Sequence, residues 1–243
     1  MKTLTNRTKA PGTTMLKTVS VSLVIPAYND ETTVGRLITD ADRLLRKACR
    51  DYEIVVINDG SKDKTWSLLQ RLAADNPSIR LINHEQNRGY GVTIKELYMS
   101  GAKEYIFSLP GDYQYAPKEL LTMAHGLKDH DFVIGLRVKR NDPARRKLQS
   151  LVYNTMLGLF YGNRRKDVNS IKLFRREILS NIELVSNTAF VDAELVIRAE
   201  KAGYKVIEIP IEHLPRTSQG ASGGKISVIL ETFKDLIFMR ARM

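Results

Sequence analysis

Short runs of β-branched and other apolar residues alternate with segments of helical periodicity along most of this chain. The run at residues 19–25 precedes apolar residues at helical spacing over 31–50, and the run at 52–57 precedes a second such segment over 64–74. Strands that alternate with helices in this way build a parallel sheet with helices on both faces. The alternation therefore predicts an α/β fold with a doubly wound, mostly parallel sheet.

The same pattern gives the set of predicted elements. The predicted strands are 19–25, 52–57, 79–83, 104–109, 132–136, 171–174 and 206–210, and the predicted helices are 31–50, 64–74, 90–100, 118–128, 147–161, 190–202 and 225–240. A length of 243 residues fits a single domain, which we place at 18–243 because no linker or internal repeat interrupts the pattern. Residues 1–17 are mostly small and polar, and they are predicted to form a flexible N-terminal arm.

A formal net charge of +11 indicates an anionic partner: a nucleic acid, a membrane surface or a phosphorylated substrate. The charge is concentrated, since residues 136–176 hold twelve Lys or Arg residues against Asp142 and Asp167. No nucleic-acid-binding motif or aromatic stacking platform accompanies this block, so nucleic acid is not an expected partner. The single cysteine, Cys49, and the absence of an apolar run of membrane-spanning length predict a cytoplasmic protein.

The turn after the fourth predicted strand offers ligands for a metal ion. Its sequence is LPGDYQYAP, residues 109–117, and it holds a carboxylate, Asp112, and a carboxamide, Gln114. Ligands of open α/β sheets collect at the carboxyl ends of strands, and Mg²⁺ that also binds phosphates uses few protein oxygens. We therefore predict that Asp112 and Gln114 bind a metal ion. The alternative is an ordinary turn in which Asp112 bonds its own backbone.

Carboxylates also follow the first two predicted strands, at Asp30, Glu31 and Asp59. Parallel strands end at the same edge of a sheet, so these side chains are expected to approach one another and to bind a nucleobase or ribose. The alternative for Asp59 is that it caps the following helix. No glycine-rich dinucleotide or phosphate-binding motif follows the first strand, so carboxylates and a metal ion are expected to hold the nucleotide.

Five segments of the chain, in this order, resemble the family 2 inverting glycosyltransferases. They are VSLVIPAYND at 21–30, YEIVVINDGSKDKT at 52–65, NRG at 87–89, GDYQ at 111–114 and DVNS at 167–170. The subgroup that the chain resembles most is the dolichyl or polyprenyl phosphate sugar synthases. The resemblance implies a GT-A fold, which is Rossmann-like, together with a nucleotide-sugar donor, a polyprenyl phosphate acceptor, and Mg²⁺ or Mn²⁺ as cofactor.

The resemblance also implies roles for individual residues. Pro26, Ala27, Tyr28, Glu31, Asn58 and Asp59 would line the nucleoside pocket, Asp112 and Gln114 would bind the metal ion, and Arg137, Arg146, Arg216, Ser222 and Lys225 would bind donor or acceptor phosphates. The metal ion neutralises charge on the leaving diphosphate, so Asp112 is also a predicted catalytic residue.

Two positions depart from the family pattern. Pro110 stands where the metal turn commonly has its first Asp, and Asn58 stands where the second strand commonly ends in Asp-Asp. One metal carboxylate is thus missing.

The acceptor decides whether a catalytic base is needed. A phosphate acceptor is already ionised near neutral pH, because its second pKa is about 6, so positioning and stabilisation of the leaving group suffice. A hydroxyl acceptor needs a base, for which the candidates are Asp167 and Glu194. The alternative for Glu194 is a bond to an arginine of the core. No metal-ligand spacing is seen at His84, His125, His130 and His213, which are predicted to be ordinary histidines.

The functional prediction is an inverting glycosyltransferase that moves a hexose-type sugar from a donor such as GDP-mannose or UDP-glucose to polyprenyl or dolichyl phosphate. Two alternatives are transfer to a saccharide or protein hydroxyl, and a noncatalytic module that binds a nucleotide sugar or a partner. Amphipathic helices at about 147–161 and 225–240 predict peripheral contact with an anionic membrane at its inner face, unless both helices only pack on the sheet. A separate membrane-anchored subunit is a further predicted partner.

Overall fold

The structure, a computed structural model, describes residues 15–138, 144–215 and 226–239, without the side chains of residues 144–148, 226–230 and 233. Its strands are β1 (Ser20–Ala27), β2 (Asp51–Asp59), β3 (Ile79–His84), β4 (Tyr105–Ser108), β5 (Phe132–Arg137), β6 (Lys172–Arg175) and β7 (Val206–Ile211). Its helices are α1 (Val34–Ala48), α2 (Thr65–Ala74), α3 (Tyr90–Ser100), α4 (Glu119–Ala124), α5 (Ala144–Tyr161), α6 (Ile178–Asn181), α7 (Val191–Lys201) and α8 (Ile226–Phe238), with a 3₁₀ helix at His125–Lys128.

These strands form one sheet in the order β3-β2-β1-β4-β6-β5-β7. Strand β1 pairs in parallel with β2 and with β4, and β5 pairs in parallel with β7. Strand β6 is antiparallel to both of its neighbours, β4 and β5. The start of β6 therefore lies at the same edge of the sheet as the ends of the other strands. The predicted α/β fold with a mostly parallel sheet is confirmed.

A hydrophobic core covers each face of the sheet. On one face, α1, α2 and α4 bury residues such as Leu37, Leu69 and Met123, and on the other face α3 and α7 bury Ile94 and Leu195. Strand β1 contributes to both cores, because Leu23 and Ile25 enter the first core and Val24 enters the second. Burial on both faces explains why the inner strands read as continuous apolar runs rather than alternating ones.

The chain departs from the predicted element bounds at a few places. The predicted helix 118–128 is α4 followed by the 3₁₀ helix, α5 begins three residues earlier than predicted, and the short helix α6 was not predicted. The predicted helix 31–50 begins only at Val34, because the residues before it form a turn in which the backbone carbonyl oxygen of Asp30 accepts hydrogen bonds from Thr33 N and Val34 N.

The N-terminal arm, predicted as residues 1–17, extends three residues too far into the folded domain. Leu16 is fully buried in the first core, and its carbonyl oxygen accepts a hydrogen bond from the backbone N–H of Arg50 at 3.1 Å. An apolar side chain in the core fixes the backbone around it, so residues 15–17 belong to the folded domain. Residues 1–14 lie outside the described residues.

Candidate active site

The predicted site residues follow strands that end at one edge of the sheet. Loops 28–33 and 60–64 follow β1 and β2, and we call them the nucleotide loops. Residues 109–115 follow β4 and form what we call the metal turn. Arg137 ends β5, and Asp167 precedes β6. Because β6 is antiparallel, the segment before it reaches this edge together with the loops that follow the parallel strands.

The two nucleotide loops are joined by hydrogen bonds between side chains and backbone. Asn29 N donates to Ser61 Oγ at 3.0 Å, and Asn29 Oδ1 accepts from Lys62 N at 2.8 Å. Lys64 N donates to Glu31 Oε2 at 2.9 Å. Glu31 is itself exposed at the surface of this pair of loops. The side chains of the two loops therefore fix each other's shape, as they would for a wall that must fit a ligand.

The predicted nucleoside residue Asp59 is buried and binds the protein's own backbone. Its Oδ1 accepts from Arg88 N at 2.8 Å and lies 2.7 Å from His84 Nδ1, and its Oδ2 accepts from Gly89 N at 3.1 Å. The loop at 87–89 is thus held against the end of β2. Gly60 allows this close approach, since a Cβ there would lie 2.5 Å from Asn87 N and its φ is +65°.

Asn58 is also buried, and its Nδ2 donates to Asn83 Oδ1 on the neighbouring strand β3 at 2.7 Å. Asn58, which stands where the family commonly has the first Asp of an Asp-Asp pair, therefore joins β2 to β3. An amide is suited to that contact, because a carboxylate has no N–H to donate to Asn83.

The end of β1 is joined to the metal turn. Pro26 O accepts from Gly111 N at 3.2 Å, and Thr33 Oγ1 donates to Gly111 O at 2.8 Å. A Cβ at Gly111 would lie 2.7 Å from Asp30 Oδ2, so the Asp30 carboxylate packs directly against the turn. Tyr28 N donates to that carboxylate at 3.1 Å. Of the other two predicted pocket residues of β1, Ala27 is buried and Pro26 is half-buried.

In the metal turn, Asp112 is 8% exposed and its Oδ1 accepts from Gln114 N at 3.1 Å. Gln114 Nε2 lies 3.3 Å from His213 Nε2, beyond the end of β7. Throughout the described residues, no group of three His, Cys, Asp or Glu side chains is arranged to hold a metal ion. The available donors, one carboxylate, an amide and an adjacent imidazole, fit a cation that takes most of its ligands from phosphate and water.

Two residues predicted for different roles form an ion pair. The Arg137 guanidinium binds the Asp167 carboxylate through two N–H groups, with Nε 2.7 Å from Oδ2, and Arg137 N also donates to Oδ2 at 3.2 Å. The Asp167 side chain is 4% exposed and that of Arg137 is 13% exposed. The predicted base is therefore engaged by the predicted phosphate-binding cation.

Tyr115 connects this ion pair to the metal turn. Burial raises the pKa of Tyr115 to about 12, and the charges of Asp167 and Asp112 add to the effect, whereas the Arg137 charge opposes it. The ring of Tyr115 also packs edge-on against His213 at a centroid distance of 5.2 Å. The Asp112 turn follows β4, and the Arg137–Asp167 pair joins the end of β5 to the segment before β6, which lies between β4 and β5 in the sheet, so the turn and the pair are neighbours.

Glu194 does not belong to this site. Its side chain is fully buried, and its carboxylate accepts from Val185 N, Ser186 N and, at 2.8 Å, Arg198 Nε. A carboxylate that holds two backbone N–H groups and an arginine in the core has no route to an acceptor hydroxyl. The prediction of Glu194 as a catalytic base is corrected, and the alternative of a bond to a core arginine is confirmed.

Four of the predicted phosphate-binding residues fall outside what the structure describes, namely the side chain of Arg146 and all of Arg216, Ser222 and Lys225. Sequence reasoning missed Lys172 and Asp192, which form a buried ion pair beneath the site, and the positions of His84 and His213. Lys172 offered a signal, because it interrupts an apolar strand.

The comparison with protein families decides the class of this protein. Residues 22–182 match the family model described as Glycosyl transferase family 2. The chain belongs to glycosyl transferase family 2. As a member of that family it is a glycosyltransferase, which argues against the alternative of a noncatalytic binding module.

Curated relatives of this family 2 glycosyltransferase bear names of polyprenyl-phosphate sugar transferases. A dolichyl-phosphate beta-glucosyltransferase of Trichomonas vaginalis is 29% identical over 94% of this chain and 76% of its own length. An undecaprenyl-phosphate 4-deoxy-4-formamido-L-arabinose transferase of Pectobacterium atrosepticum is 30% identical over 81% of this chain, which spans 60% of that protein. A dolichyl-phosphate hexose transferase of Haloferax volcanii is 27% identical, with coverages of 87% and 94%. The resemblance to this subgroup is confirmed.

A solved structure of similar fold is glucosyl-3-phosphoglycerate synthase from Mycobacterium tuberculosis in complex with Mn²⁺, UDP-glucose and phosphoglyceric acid. It is 15% identical, its TM-score is 0.75, and the match covers 100% of this chain and 87% of that one. A likeness at this identity shows the fold, so the predicted GT-A fold is confirmed. None of the helices in the described part of the family 2 chain combines the length and apolar character required to cross a membrane.

Proposed function

We propose that this glycosyltransferase moves a hexose-type sugar from a nucleoside diphosphate sugar to polyprenyl phosphate at the cytoplasmic face of a membrane. The observation that carries the proposal is the state of the two carboxylates predicted as acceptor bases. Glu194 is bonded within the core, and Asp167 is paired with Arg137. Neither is arranged as a base, whereas a phosphate acceptor needs none because it is already ionised.

The chemistry is a displacement at the anomeric carbon of the donor sugar. A phosphate oxygen of the acceptor forms the new bond to that carbon, the bond to the diphosphate oxygen breaks, and the electron pair leaves with the nucleoside diphosphate. Attack from the opposite face inverts the anomeric configuration. Both reactants are anions, so the protein's task is to hold them in line and to stabilise the charge on the leaving group.

The residues of the site divide this task between them. The nucleotide loops, with Glu31 and the Asp59-bound segment 87–89, form the nucleoside wall. Asp112 and Gln114 would hold Mg²⁺ or Mn²⁺, which when bound neutralises the charge that develops on the diphosphate. Asp167 fixes the Arg137 guanidinium at the end of β5, where a planar cation suits a phosphate group.

The membrane face of the protein is proposed to be formed by α5 and α8. Helix α5 exposes Leu151 and Leu159, which are 64% and 76% accessible and lie two turns apart on one side. Helix α8 exposes Phe238 at 73%, and the Tyr161 hydroxyl donates to Leu236 O at 2.5 Å, which ties the two helices together. Exposed apolar side chains in a basic protein suit an anionic lipid surface. A separate membrane-anchored subunit would use the same surface.

The membrane proposal is tested by sedimentation with vesicles of phosphatidylglycerol and phosphatidylcholine at low salt. The protein is expected to sediment with anionic vesicles and to lose most of that binding in the Leu151→Ser/Leu159→Ser variant. Met99→Ser, which alters an exposed apolar residue on α3, is the matched control and is expected to bind normally. Equal binding by all three proteins, or none by the wild type, contradicts the proposed surface.

The reaction is tested by incubating the purified protein with a panel of radiolabelled GDP- and UDP-sugars and a short-chain polyprenyl phosphate. Each donor is assayed with Mn²⁺, with Mg²⁺ and with EDTA. Metal-dependent label in the lipid extract from one donor is the expected result and identifies the sugar. A parallel set of reactions offers a saccharide or protein acceptor, and label that enters that acceptor and not the lipid contradicts the proposal and restores the hydroxyl alternative.

A further inference from the structure

A buried ion pair lies beneath the site and takes no part in the reaction described above. Lys172 opens β6 and Asp192 lies in the first turn of α7, and their side chains are 1% and 2% exposed. Lys172 Nζ lies 2.7 Å from Asp192 Oδ1 and donates also to Ser170 O at 2.9 Å. A buried ion pair contributes little net stability, because removing both charges from water costs about as much as their attraction returns. Its role is therefore sought in the groups that it holds in place.

Two tyrosines of α3 complete the bonding of Asp192. The Tyr98 hydroxyl donates to Oδ1 at 2.7 Å, and the Tyr90 hydroxyl donates to Oδ2 at 2.8 Å. Burial raises the pKa of both hydroxyls well above the ordinary value, and the Asp192 charge adds to the effect, so both remain donors. Asp192 therefore fixes the first and the ninth residue of one helix.

Tyr90 differs from Tyr98 in where its ring lies. Tyr98 is buried, whereas Tyr90 is 43% exposed although its hydroxyl is bonded inside the protein. The backbone beneath the ring is also fixed: a Cβ at Gly91 would lie 2.3 Å from Thr188 O, so the first turn of α3 is pressed against the segment before α7. An aromatic ring is thus held at the surface in one orientation.

The ring lies between the two halves of the site. Tyr90 directly follows Gly89, whose N–H is bound by Asp59 on the nucleotide side. On the other side, the Tyr90 hydroxyl is bonded through Asp192 to Lys172, whose backbone N–H donates at 3.1 Å to Ser108 Oγ at the end of β4, next to the metal turn. In a nucleotide sugar, the diphosphate joins the nucleoside to the sugar, so a group beside both the nucleotide wall and the metal turn can reach the sugar.

We propose that the Tyr90 ring forms a wall of the donor-sugar subsite and that the Lys172–Asp192 pair is the positioning device that holds it. A pyranose ring presents a face of C–H groups, and an aromatic ring offers a flat apolar surface with a negative face to receive it. Pockets for small molecules commonly combine such a wall with a few placed polar groups. Tyr90 then strengthens the binding of a nucleotide sugar relative to the binding of the nucleoside diphosphate alone.

The test compares the affinity for a nucleoside diphosphate with that for its sugar derivative by calorimetry in Mn²⁺, using UDP with UDP-glucose and GDP with GDP-mannose. Tyr90→Ala is expected to weaken binding of the nucleotide sugar about tenfold while binding of the nucleoside diphosphate changes less than about twofold. Tyr90→Phe keeps the ring and is expected to lose less. Lys172→Met/Asp192→Asn, which removes both buried charges together, is expected to weaken nucleotide-sugar binding to an intermediate degree.

Met99→Ala, an exposed side chain on the same helix, is the control, and thermal unfolding checks that each variant is folded. The inference rests on the proposed function, and the two fail in different ways. If the wild type binds neither nucleotides nor nucleotide sugars, the proposed function is overturned and the subsite with it. If the wild type binds both, and Tyr90→Ala weakens both equally or neither, only the role of Tyr90 is overturned.

Discussion

On the side of the candidate site formed by the nucleotide loops, which we call the nucleotide side, acidic side chains bind backbone N–H groups of nearby loops, as Asp59 does with Arg88 and Gly89. On the side formed by β5, β6 and α7, which we call the transfer side, charged side chains bind charges on other elements, as Arg137 does with Asp167 and Lys172 does with Asp192. The first kind of contact fixes the shape of a loop. The second kind holds charges that are buried, and each charge there depends on its partner.

The difference indicates how each side tolerates change. A carboxylate that accepts from backbone groups can be replaced by a neutral acceptor at moderate cost, because no opposite charge is left behind. A buried carboxylate opposite a cation cannot be replaced alone, because the cation then loses its partner in a dry environment.

Asp112→Asn is expected to lower sugar transfer about 10²- to 10³-fold, because the proposed metal ion loses its carboxylate and the leaving diphosphate keeps its charge. The initial rate of label transfer at fixed Mn²⁺ measures the effect. Asp75→Asn removes an exposed carboxylate beyond α2 and is the matched control, with transfer at the wild-type rate. Transfer by Asp112→Asn within a factor of two of the control contradicts the assignment of the metal turn.

Removal of one partner of the Arg137–Asp167 pair is expected to reduce the free energy of unfolding by about 3 kcal/mol, because a buried charge is left without its partner. Arg137→Ala, Asp167→Ala and the double variant form a double-mutant cycle measured by urea unfolding. The double variant is expected to lose much less than the sum of the single variants.

The control for that cycle is the surface pair Lys118–Glu212, in which both side chains are more than half exposed. Its coupling energy is expected to be about 0.5 kcal/mol or less. Similar coupling energies in the two cycles would show that burial does not make the Arg137 and Asp167 charges depend on each other.

Asp59→Asn is expected to reduce the free energy of unfolding by about 2 kcal/mol and to weaken nucleotide binding. The carboxylate accepts from Arg88 N with Oδ1 and from Gly89 N with Oδ2, whereas an amide has one acceptor oxygen and no charge, so one of the two bonds is lost and segment 87–89 loosens. Urea unfolding and calorimetry with UDP or GDP measure the two effects. If stability falls and nucleotide affinity does not, Asp59 shapes a loop that the nucleotide does not touch.

A smaller effect is expected for Asp63, whose contribution to the free energy of unfolding should depend on pH. Burial acts to raise the pKa of Asp63, but hydrogen bonds from Thr65 and from the backbone N–H of Glu31 outweigh it and lower the pKa below the ordinary 3.8. A carboxyl whose pKa is lowered in the folded state stabilises the protein at pH values above its ordinary pKa. That stabilisation is lost as the pH falls through the pKa of the folded state.

Asp63→Asn is therefore expected to cost about 1 kcal/mol at pH 7 and progressively less as the pH falls below 3.8. Urea unfolding of the wild type and the variant at both ends of this range measures the difference. A cost that stays constant with pH shows that the carboxylate charge is not what matters at this position.

The sequence predicted the fold well where local pattern decides it. Runs such as 52–57 are buried on both faces of the sheet, so composition alone identified them as strands, and the turn at Asp112 followed from its place after β4. The direction of β6 was beyond this reasoning, because periodicity marks a strand but does not say which way it runs. That direction matters, since it brings Asp167 and Lys172 to the edge that carries the site.

The sequence placed the candidate site residues in loops at one edge of the sheet, where the structure also has them, but it did not predict which of them bind each other. Asp167 and Arg137 were both identified, but a separation of 30 positions hid that they bind each other. Glu194 was placed among the catalytic candidates because a carboxylate in a helix looks the same from sequence whether it faces a ligand or the core. Burial decides between those two states, and burial depends on how α7 packs on the sheet.

Transfer of the sugar to a phosphate oxygen can be tested by offering the protein two lipids that differ only in that group. The purified protein, with the donor that it uses and Mn²⁺, is given a polyprenyl phosphate in one reaction and the corresponding polyprenol in the other. We expect label to enter the phosphate lipid, EDTA to prevent this, and the polyprenol to stay unlabelled. Transfer to the polyprenol at a comparable rate would rule out the proposed acceptor, because it would require a base at a site where Asp167 is paired and Glu194 is in the core.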